Sequence, residues 1–155
     1  MISKVLINAL RQVDLFGELS PMQITEIARN AERIMYPAGA ILAKAGDPAP
    51  SAILIIDGQI DCITTTHPPM TSRLAVGTLI AEMAMFTPFE HSATFVARSP
   101  VKAMRIPRKA MLAQMSEDPG LAERFVEKVA GRLRHVVVEM ARISGLDVDD
   151  GAKAA

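Results

Sequence analysis

Apolar residues near the N-terminus recur at helical spacing. A short i, i+3, i+4 stripe predicts a first helix over residues 5–10. A second helix is predicted to begin at Ser20-Pro21, because serine suits the N-cap and proline the first helical position. The apolar face of that second helix is formed by Ile24, Ile27, Ala28, Ala31 and Ile34. We therefore expect residues 1–35 to be helical.

From residue 36 the pattern changes to short β-branched runs that are separated by glycine and proline turns. The predicted strands are 41–44, 52–56, 59–65, 73–76, 93–97 and 101–106. Many short strands with turns about every 8–12 residues are typical of a β-barrel or jelly roll. The sequence therefore predicts a β-roll over about 36–107.

Residues 108–145 return to helical periodicity and end in a heptad-like stripe. Its members, spaced alternately by three and four residues, are Val126, Val129, Leu133, Val136, Met140 and Ile143. Leu121, Phe125 and Val137 lie off this stripe, where they could pack on the roll. A helix with two apolar faces favours a homodimer through Val126–Ile143; the other interpretation is one wide face toward its own core.

The predicted fold class is thus α+β: a β-roll of the jelly-roll type with N-terminal helices and a long C-terminal helix. We expect a single domain over 1–145, with the roll at about 36–107, the C-terminal helices at about 108–145 and a flexible tail over 146–155.

Charge and composition exclude several classes of protein. The chain has 155 residues, with 17 basic and 17 acidic side chains and a formal net charge of zero. A dedicated nucleic-acid binder usually has a basic excess, so direct DNA binding is not expected. One cysteine excludes a disulfide framework. No apolar stretch reaches the roughly 20 residues of a membrane span, and no leader is visible, so we expect a cytoplasmic protein without a membrane segment.

Candidate chemistry concentrates in residues Gly77–Ala97, hereafter the cassette. Glu82 follows an apolar run and begins a short helical turn, and His91 and Ser92 enter the next strand. Backbone amides of such a turn can hold an anion, while Glu82 can accept from a hydroxyl and His91 and Ser92 can donate to an oxyanion. The pattern indicates a small-anion site.

Other chemistry is weakly represented. The three histidines, His67, His91 and His135, are too scattered to predict a metal site. No catalytic triad motif, P-loop or dinucleotide fingerprint occurs, so we predict no catalytic residues and no enzyme. A basic run around the last strand, composed of Arg98, Arg105, Arg108 and Lys109, is interpreted as a solvated edge or a partner surface.

Several motifs in order resemble the cyclic nucleotide-binding domain family, over about residues 15–145. The motifs before the cassette are Tyr36-Pro37-Ala38-Gly39, Ala45-Gly46-Asp47 and Ile55-Ile56-Asp57-Gly58. The resemblance implies a β-roll with flanking helices, in agreement with the pattern of strands. It also implies cyclic AMP or cyclic GMP as the ligand, with no other cofactor.

In that family a cassette glutamate binds the ribose 2′-hydroxyl and an arginine pairs with the cyclic phosphate. Gly77, Glu82, Ala84, Ser92 and Ala93 match the family pattern. The sequence departs from it where Ala81 replaces a glycine and His91 replaces the arginine. The resemblance implies as ligand-binding residues Ala81, Glu82, Met83, Ala84, His91, Ser92 and Ala93.

Both departures have physical consequences. Ala81 is strained if its φ is positive, where Cβ costs about 1 kcal/mol or more. His91 is mostly neutral at pH 7 and lacks the planar fork of arginine. A charge-assisted hydrogen bond contributes roughly 1.5–3 kcal/mol, so its loss would weaken phosphate binding about 10- to 100-fold.

The sequence therefore predicts a stand-alone cyclic nucleotide-binding-like sensor domain, with a degenerate cassette and signalling through its C-terminal helix. The chain ends about ten residues after that helix, so we expect no DNA-binding domain. The alternative is a ligand-free interaction or dimerisation module that retains the fold and serves an unidentified protein partner.

Overall fold

Two antiparallel sheets of four strands each form the body of the molecule. The computed structural model describes residues 3–145. The strands are β1 (Glu32–Tyr36), β2 (Ile41–Ala43), β3 (Ser51–Asp57), β4 (Ile60–Thr64), β5 (Thr71–Leu74), β6 (Leu79–Ile80), β7 (Ala93–Ala97) and β8 (Val101–Pro107). One sheet has the order β1-β8-β3-β6 and the other β2-β7-β4-β5. The predicted α+β fold with a β-roll is confirmed; the predicted tail over 146–155 lies outside the described residues.

The N-terminal helices close one side of the first sheet. They are α1 (Lys4–Arg11), a 3₁₀ turn (Asp14–Phe16) and α2 (Pro21–Asn30). A capping box starts α2: the Gln23 N–H donates to the Ser20 hydroxyl at 3.2 Å, and the Ser20 N–H donates to Gln23 Oε1 at 2.9 Å. The predicted N-cap at Ser20 and first helical position at Pro21 are confirmed.

The expectation that residues 1–35 are all helical is wrong at its end. Ala31 has extended backbone angles and ends α2, and β1 begins at Glu32. Ile34 lies on this strand opposite Ala103 of β8, packed against the interior of the roll. Its position three residues after Ala31 fits the helical period, but pairing with β8 makes it part of a strand. The roll thus begins at 32 rather than about 36.

Two apolar clusters fill the molecule. The larger one lies between the first sheet and the helices, and includes Phe16, Leu54, Met104 and Phe125. The smaller one occupies the interior of the roll, and includes Ile53, Val101 and Ala103. Successive residues of β8 alternate between the clusters, as a strand buried on both faces requires.

The C-terminal part consists of α3 (Arg108–Glu117) and α4 (Pro119–Ile143). Leu121 and Phe125 are buried as predicted, and the Phe125 ring lies 5.1 Å from that of Phe86. Val137 does not pack on the roll, because it is 44% exposed on the solvent side of α4. The exposed apolar residues of α4 are Val126, Leu133, Val136, Val137, Val138, Met140 and Ile143.

Within residues 3–145, no helix combines the length and apolar character needed to cross a membrane. Over the same residues, no group of three or more His, Cys, Asp or Glu side chains is arranged to hold a metal ion.

Candidate functional site

The first end of the cassette is positioned by β6 against β3. Leu79 and Ile80 pair with Leu54 and Ile53. The chain then turns into a one-turn 3₁₀ helix, Glu82–Met85, whose Ala84 and Met85 are fully buried. This burial fixes the turn, so that Glu82 lies half-buried next to α4.

Ala81 makes this turn in the left-handed region, with φ 57° and ψ 49°. Among the described residues it is the one non-glycine with positive φ. Its carbonyl accepts from the Ala84 N–H at 2.9 Å, which closes the 3₁₀ turn. Because its φ is positive, the alanine that stands here in place of the family's glycine is strained.

Glu82 is paired with a cation of the C-terminal helix. Arg132 Nη1 donates to Glu82 Oε1, and Arg132 Nη2 donates to Asp14 Oδ2 at 2.9 Å. This hydrogen bond, with Lys128 nearby, lowers the pKa of the Asp14 carboxyl. Arg132 thus links α4 to both the cassette and the N-terminal 3₁₀ turn. Sequence analysis missed Arg132; its spacing of four residues from Lys128 on one face of α4 is the signal that could have found it.

The far end of the cassette is held against the β2–β3 loop. The His91 N–H donates to the Asp47 carbonyl at 3.0 Å, and the His91 carbonyl accepts from the Gly46 N–H at 2.8 Å. His91 is only 7% exposed, and its ring meets Phe95 edge-on at 6.2 Å. Burial lowers the pKa of the His91 imidazole, against an opposing effect of the Asp47 carboxylate. The ring is therefore neutral at pH 7.

The His91 side chain lines a cavity of about 150 Å³ at one end of the roll, hereafter the His91 cavity. The polar residues around the cavity are Tyr36, Lys44, Asp47, Ser51, His91 and Arg105. Of the seven predicted site residues, only His91 lines it. Ser92 is exposed and Ala93 is buried at the start of β7.

Met83 and Ala84 have other surroundings. Met83 lines an apolar groove of about 330 Å³ between the cassette and the two C-terminal helices, with Phe86, Met115 and Val129. The Ala84 carbonyl accepts from Arg108 at 3.4 Å. The structure therefore splits the predicted site residues between the α4 side and the roll interior.

Arg108 connects the cassette to the loop between β2 and β3 through hydrogen bonds. Its Nη1 contacts three carbonyls: Ala49 at 3.2 Å, Ala84 at 3.4 Å and Thr87 at 3.0 Å. The interpretation of the basic run as a solvated edge is wrong for this residue. It fits Arg98, which is exposed while paired with Asp61 at 2.8 Å, and Arg105 has 40% of its side chain exposed but also lines the His91 cavity.

The family model of the cyclic nucleotide-binding domain matches residues 33–118 of the chain. The chain belongs to the cyclic nucleotide-binding domain family. The match covers the roll from β1 through α3 and includes the whole cassette.

Similar proteins come from several regulatory contexts. A cyclic nucleotide-gated potassium channel of Mesorhizobium japonicum is 28% identical over 113 residues, which cover 73% of this chain and 31% of the channel. A cAMP-dependent protein kinase regulatory subunit of Colletotrichum orbiculare is 27% identical over 115 residues, 74% of this chain and 29% of the subunit. The chain spans about a third of the length of these curated relatives.

A solved structure gives the same result for the fold. The N-terminal domain of a transcriptional regulator from Streptomyces coelicolor has a TM-score of 0.75 and 25% identity, covering 83% of this chain and 94% of that domain. These relatives are a channel, a kinase regulatory subunit and a transcriptional regulator, in line with the prediction of a non-enzymatic domain.

Proposed function

We propose that this chain is a cyclic nucleotide sensor whose cassette binds cyclic AMP or cyclic GMP. Glu82 accepts from the ribose 2′-hydroxyl, with Ala81, Met83 and Ala84 shaping the turn around it. His91 and the adjacent Ser92 and Ala93 form the phosphate end of the cassette. The relatives named for cyclic nucleotide gating and for cAMP dependence support this assignment.

The observation that carries the proposal is the contact between Glu82 and Arg132. The carboxylate that would meet the ribose is already bonded to the C-terminal helix. A ligand hydroxyl at Glu82 therefore competes with a contact that holds α4 in place. Because Arg132 also bonds Asp14, a change at Glu82 reaches the N-terminal segment and α4 together. Ligand binding thus shifts the position of α4, which is the signal.

A thermal-unfolding titration with cyclic AMP and cyclic GMP tests the proposal. At 100 times Kd a ligand adds about 2.7 kcal/mol, roughly 5–11 °C for a chain of this size. Glu82→Gln should reduce the shift, whereas Glu117→Gln, which changes an exposed carboxylate on α3, should leave it intact. No shift at millimolar ligand would refute the proposal.

The apolar stripe of α4 supports a second role, dimerisation with another copy of the chain. Leu133 is 64% exposed, Met140 62% and Ile143 85%, on a helix whose other face is already packed on the core. Residues spaced by three and four along a helix meet the same residues of a second helix in a coiled coil. Dimerisation would not require a ligand, so this role also fits a ligand-free dimerisation module that retains the fold.

Sedimentation equilibrium of the full chain tests this second role. A dimer should become a monomer in the double variant Leu133→Asp, Met140→Asp. Met22→Asp on α2 is the matched control, because Met22 is 83% exposed away from the stripe. A wild-type monomer at high concentration would contradict it.

A further inference from the structure

The His91 cavity contains charged side chains that the cassette does not explain. Lys44 at the end of β2 and Arg105 on β8 line it together with the Asp47 carboxylate. Two basic groups and one acidic group thus line the cavity, and a second carboxylate, Glu32, is ion-paired with Arg105 from outside the lining. The hydroxyls of Tyr36 and Ser51 complete a polar wall.

The sheet register places Arg105 at this cavity. Arg105 lies opposite Glu32 of β1 and Ile53 of β3. It shares the interior face of β8 with Ala103, two residues earlier, which is buried in the roll. A long cationic side chain thus occupies a row of the strand that is otherwise apolar.

Arg105 forms a long ion pair with Glu32, and its own side chain is 40% exposed. Within the described residues, its Nε is buried without a hydrogen-bond partner. Glu32 Oε2 lies 3.4 Å from this Nε, without forming a hydrogen bond, on a side chain that is 59% exposed. A buried donor without an acceptor is destabilising, so a reason for its presence is needed.

We propose that Arg105 and Lys44 hold a phosphate-class anion in the His91 cavity, and that Arg105 supplies from β8 the cation that the cassette lacks at His91. A guanidinium offers the planar, permanently charged fork that suits a phosphate group. The neutral His91 ring and the Ser51 hydroxyl supply further hydrogen bonds. For the cyclic phosphate of a nucleotide, this inference rests on the proposed function; for inorganic phosphate it does not.

The size of the cavity agrees with this ligand class. About 150 Å³ accommodates one phosphate group, whereas sites for whole drug-sized ligands measure roughly 300–1,000 Å³. A nucleotide would therefore place only its phosphate here, with the sugar and the base outside the cavity.

Calorimetric titration of the full chain with inorganic phosphate, at ionic strength held constant with sodium chloride, tests the proposal. Arg105→Gln should weaken phosphate binding about 10- to 100-fold, the loss expected for one charge-assisted hydrogen bond. Arg105→Lys keeps the charge without the fork and should be intermediate. Arg33→Gln is the matched control, because Arg33 is an exposed arginine on β1 opposite Met104, on the other face of the sheet.

Parallel titrations with cyclic AMP separate this inference from the proposed function. Phosphate binding that depends on Arg105, without any nucleotide binding, would support the anion site and refute the sensor. Nucleotide binding that Arg105→Gln leaves unchanged would support the sensor and overturn the role of Arg105. Equal phosphate affinity in Arg105→Gln and the wild type, or no binding at tens of millimolar phosphate, would also overturn it.

The melting temperature without ligand distinguishes a structural role. Removing an unsatisfied buried donor should leave the melting temperature of Arg105→Gln equal to or above that of the wild type. A fall, together with unchanged phosphate affinity, would assign Arg105 to its contact with Glu32 and overturn the proposal.

Discussion

At one end of the cassette, Glu82 is already bonded to Arg132 of the C-terminal helix, whereas at the other end the neutral His91 ring faces a cavity with Lys44 and Arg105. The first end has its charge balanced within the protein. At the second end Arg105 has a 3.4 Å ion pair with Glu32, and its Nε makes no hydrogen bond among the described residues. A ligand must therefore exchange a hydrogen bond at the first end, whereas at the second end it can add one to Arg105 Nε.

This difference sets the size of the expected effects. The Arg132 side chain is 40% exposed, and a half-exposed ion pair contributes only about 0–1 kcal/mol, so exchanging it costs little. A new charge-assisted hydrogen bond to phosphate contributes roughly 1.5–3 kcal/mol. Substitutions at the His91 end should therefore change ligand affinity more than substitutions at the Glu82 end.

The largest effect is expected for His91→Arg. Restoring the planar cation at this position should raise the affinity for cyclic AMP about 10- to 100-fold. Calorimetric titration of the purified protein measures it. The matched control is His135→Arg on the exposed face of α4, which should leave the affinity unchanged. An unchanged affinity in His91→Arg would mean that the histidine at this position does not weaken phosphate binding.

Ala81→Gly should stabilise the protein without ligand. The left-handed conformation costs an alanine about 1–2 kcal/mol, and the greater freedom of glycine in the unfolded chain returns about 0.4–1 kcal/mol. The net gain is about 0.5–1 kcal/mol, or roughly 1–4 °C in the melting temperature.

Ala75→Gly provides the control for this experiment. Ala75 is exposed in the turn before the cassette and has negative φ, so the same loss of a methyl group should lower the melting temperature. A fall for Ala81→Gly as well would show that the turn is not strained by Cβ.

Arg132→Gln is expected to have a smaller effect. It removes the contacts with Glu82 and Asp14, which together should cost roughly 0.2–1 kcal/mol of unfolding free energy, because both pairs are partly exposed. Urea denaturation measures this loss, and Arg134→Gln on the exposed side of α4 should show none. The loss should shrink in 1 M salt, where the Debye length is about 3 Å. A salt-independent loss would indicate packing rather than charge.

The local turns of the site could be predicted from the sequence, whereas its long-range contacts could not, for a physical reason. Local signals predicted the turn at Gly58, where an added Cβ would lie 2.6 Å from the Pro100 carbonyl oxygen. They also predicted that Ala81 is strained if its φ is positive, which it is. Local signals did not reveal the partner of Glu82, because Arg132 lies 50 residues further along the chain.

The same limit applies to Ile34 and Arg105. Ile34 fits the helical period, and only its pairing with β8 makes it part of a strand. Arg105 resembles a solvated charge in a basic run, and only the register of β8 between β1 and β3 shows that this half-buried side chain also lines the His91 cavity. Turns and caps are local and thus predictable, whereas both ends of the site are completed by distant strands and helices.

The smallest effect concerns the pH dependence of stability. Burial lowers the pKa of His91 in the folded protein, so below the ordinary value of about 6.5 the unfolded chain binds this proton more readily than the folded chain. The stability contributed by the neutral ring is complete above about pH 6.5 and is lost as the pH falls through the lowered pKa. Unfolding free energy should thus decrease more steeply between about pH 7 and 5 in the wild type than in His91→Gln. The imidazole proton resonances give the direct measurement, and a His91 ring that titrates above about 6.5 would contradict the buried, neutral state on which the comparison of the two ends depends.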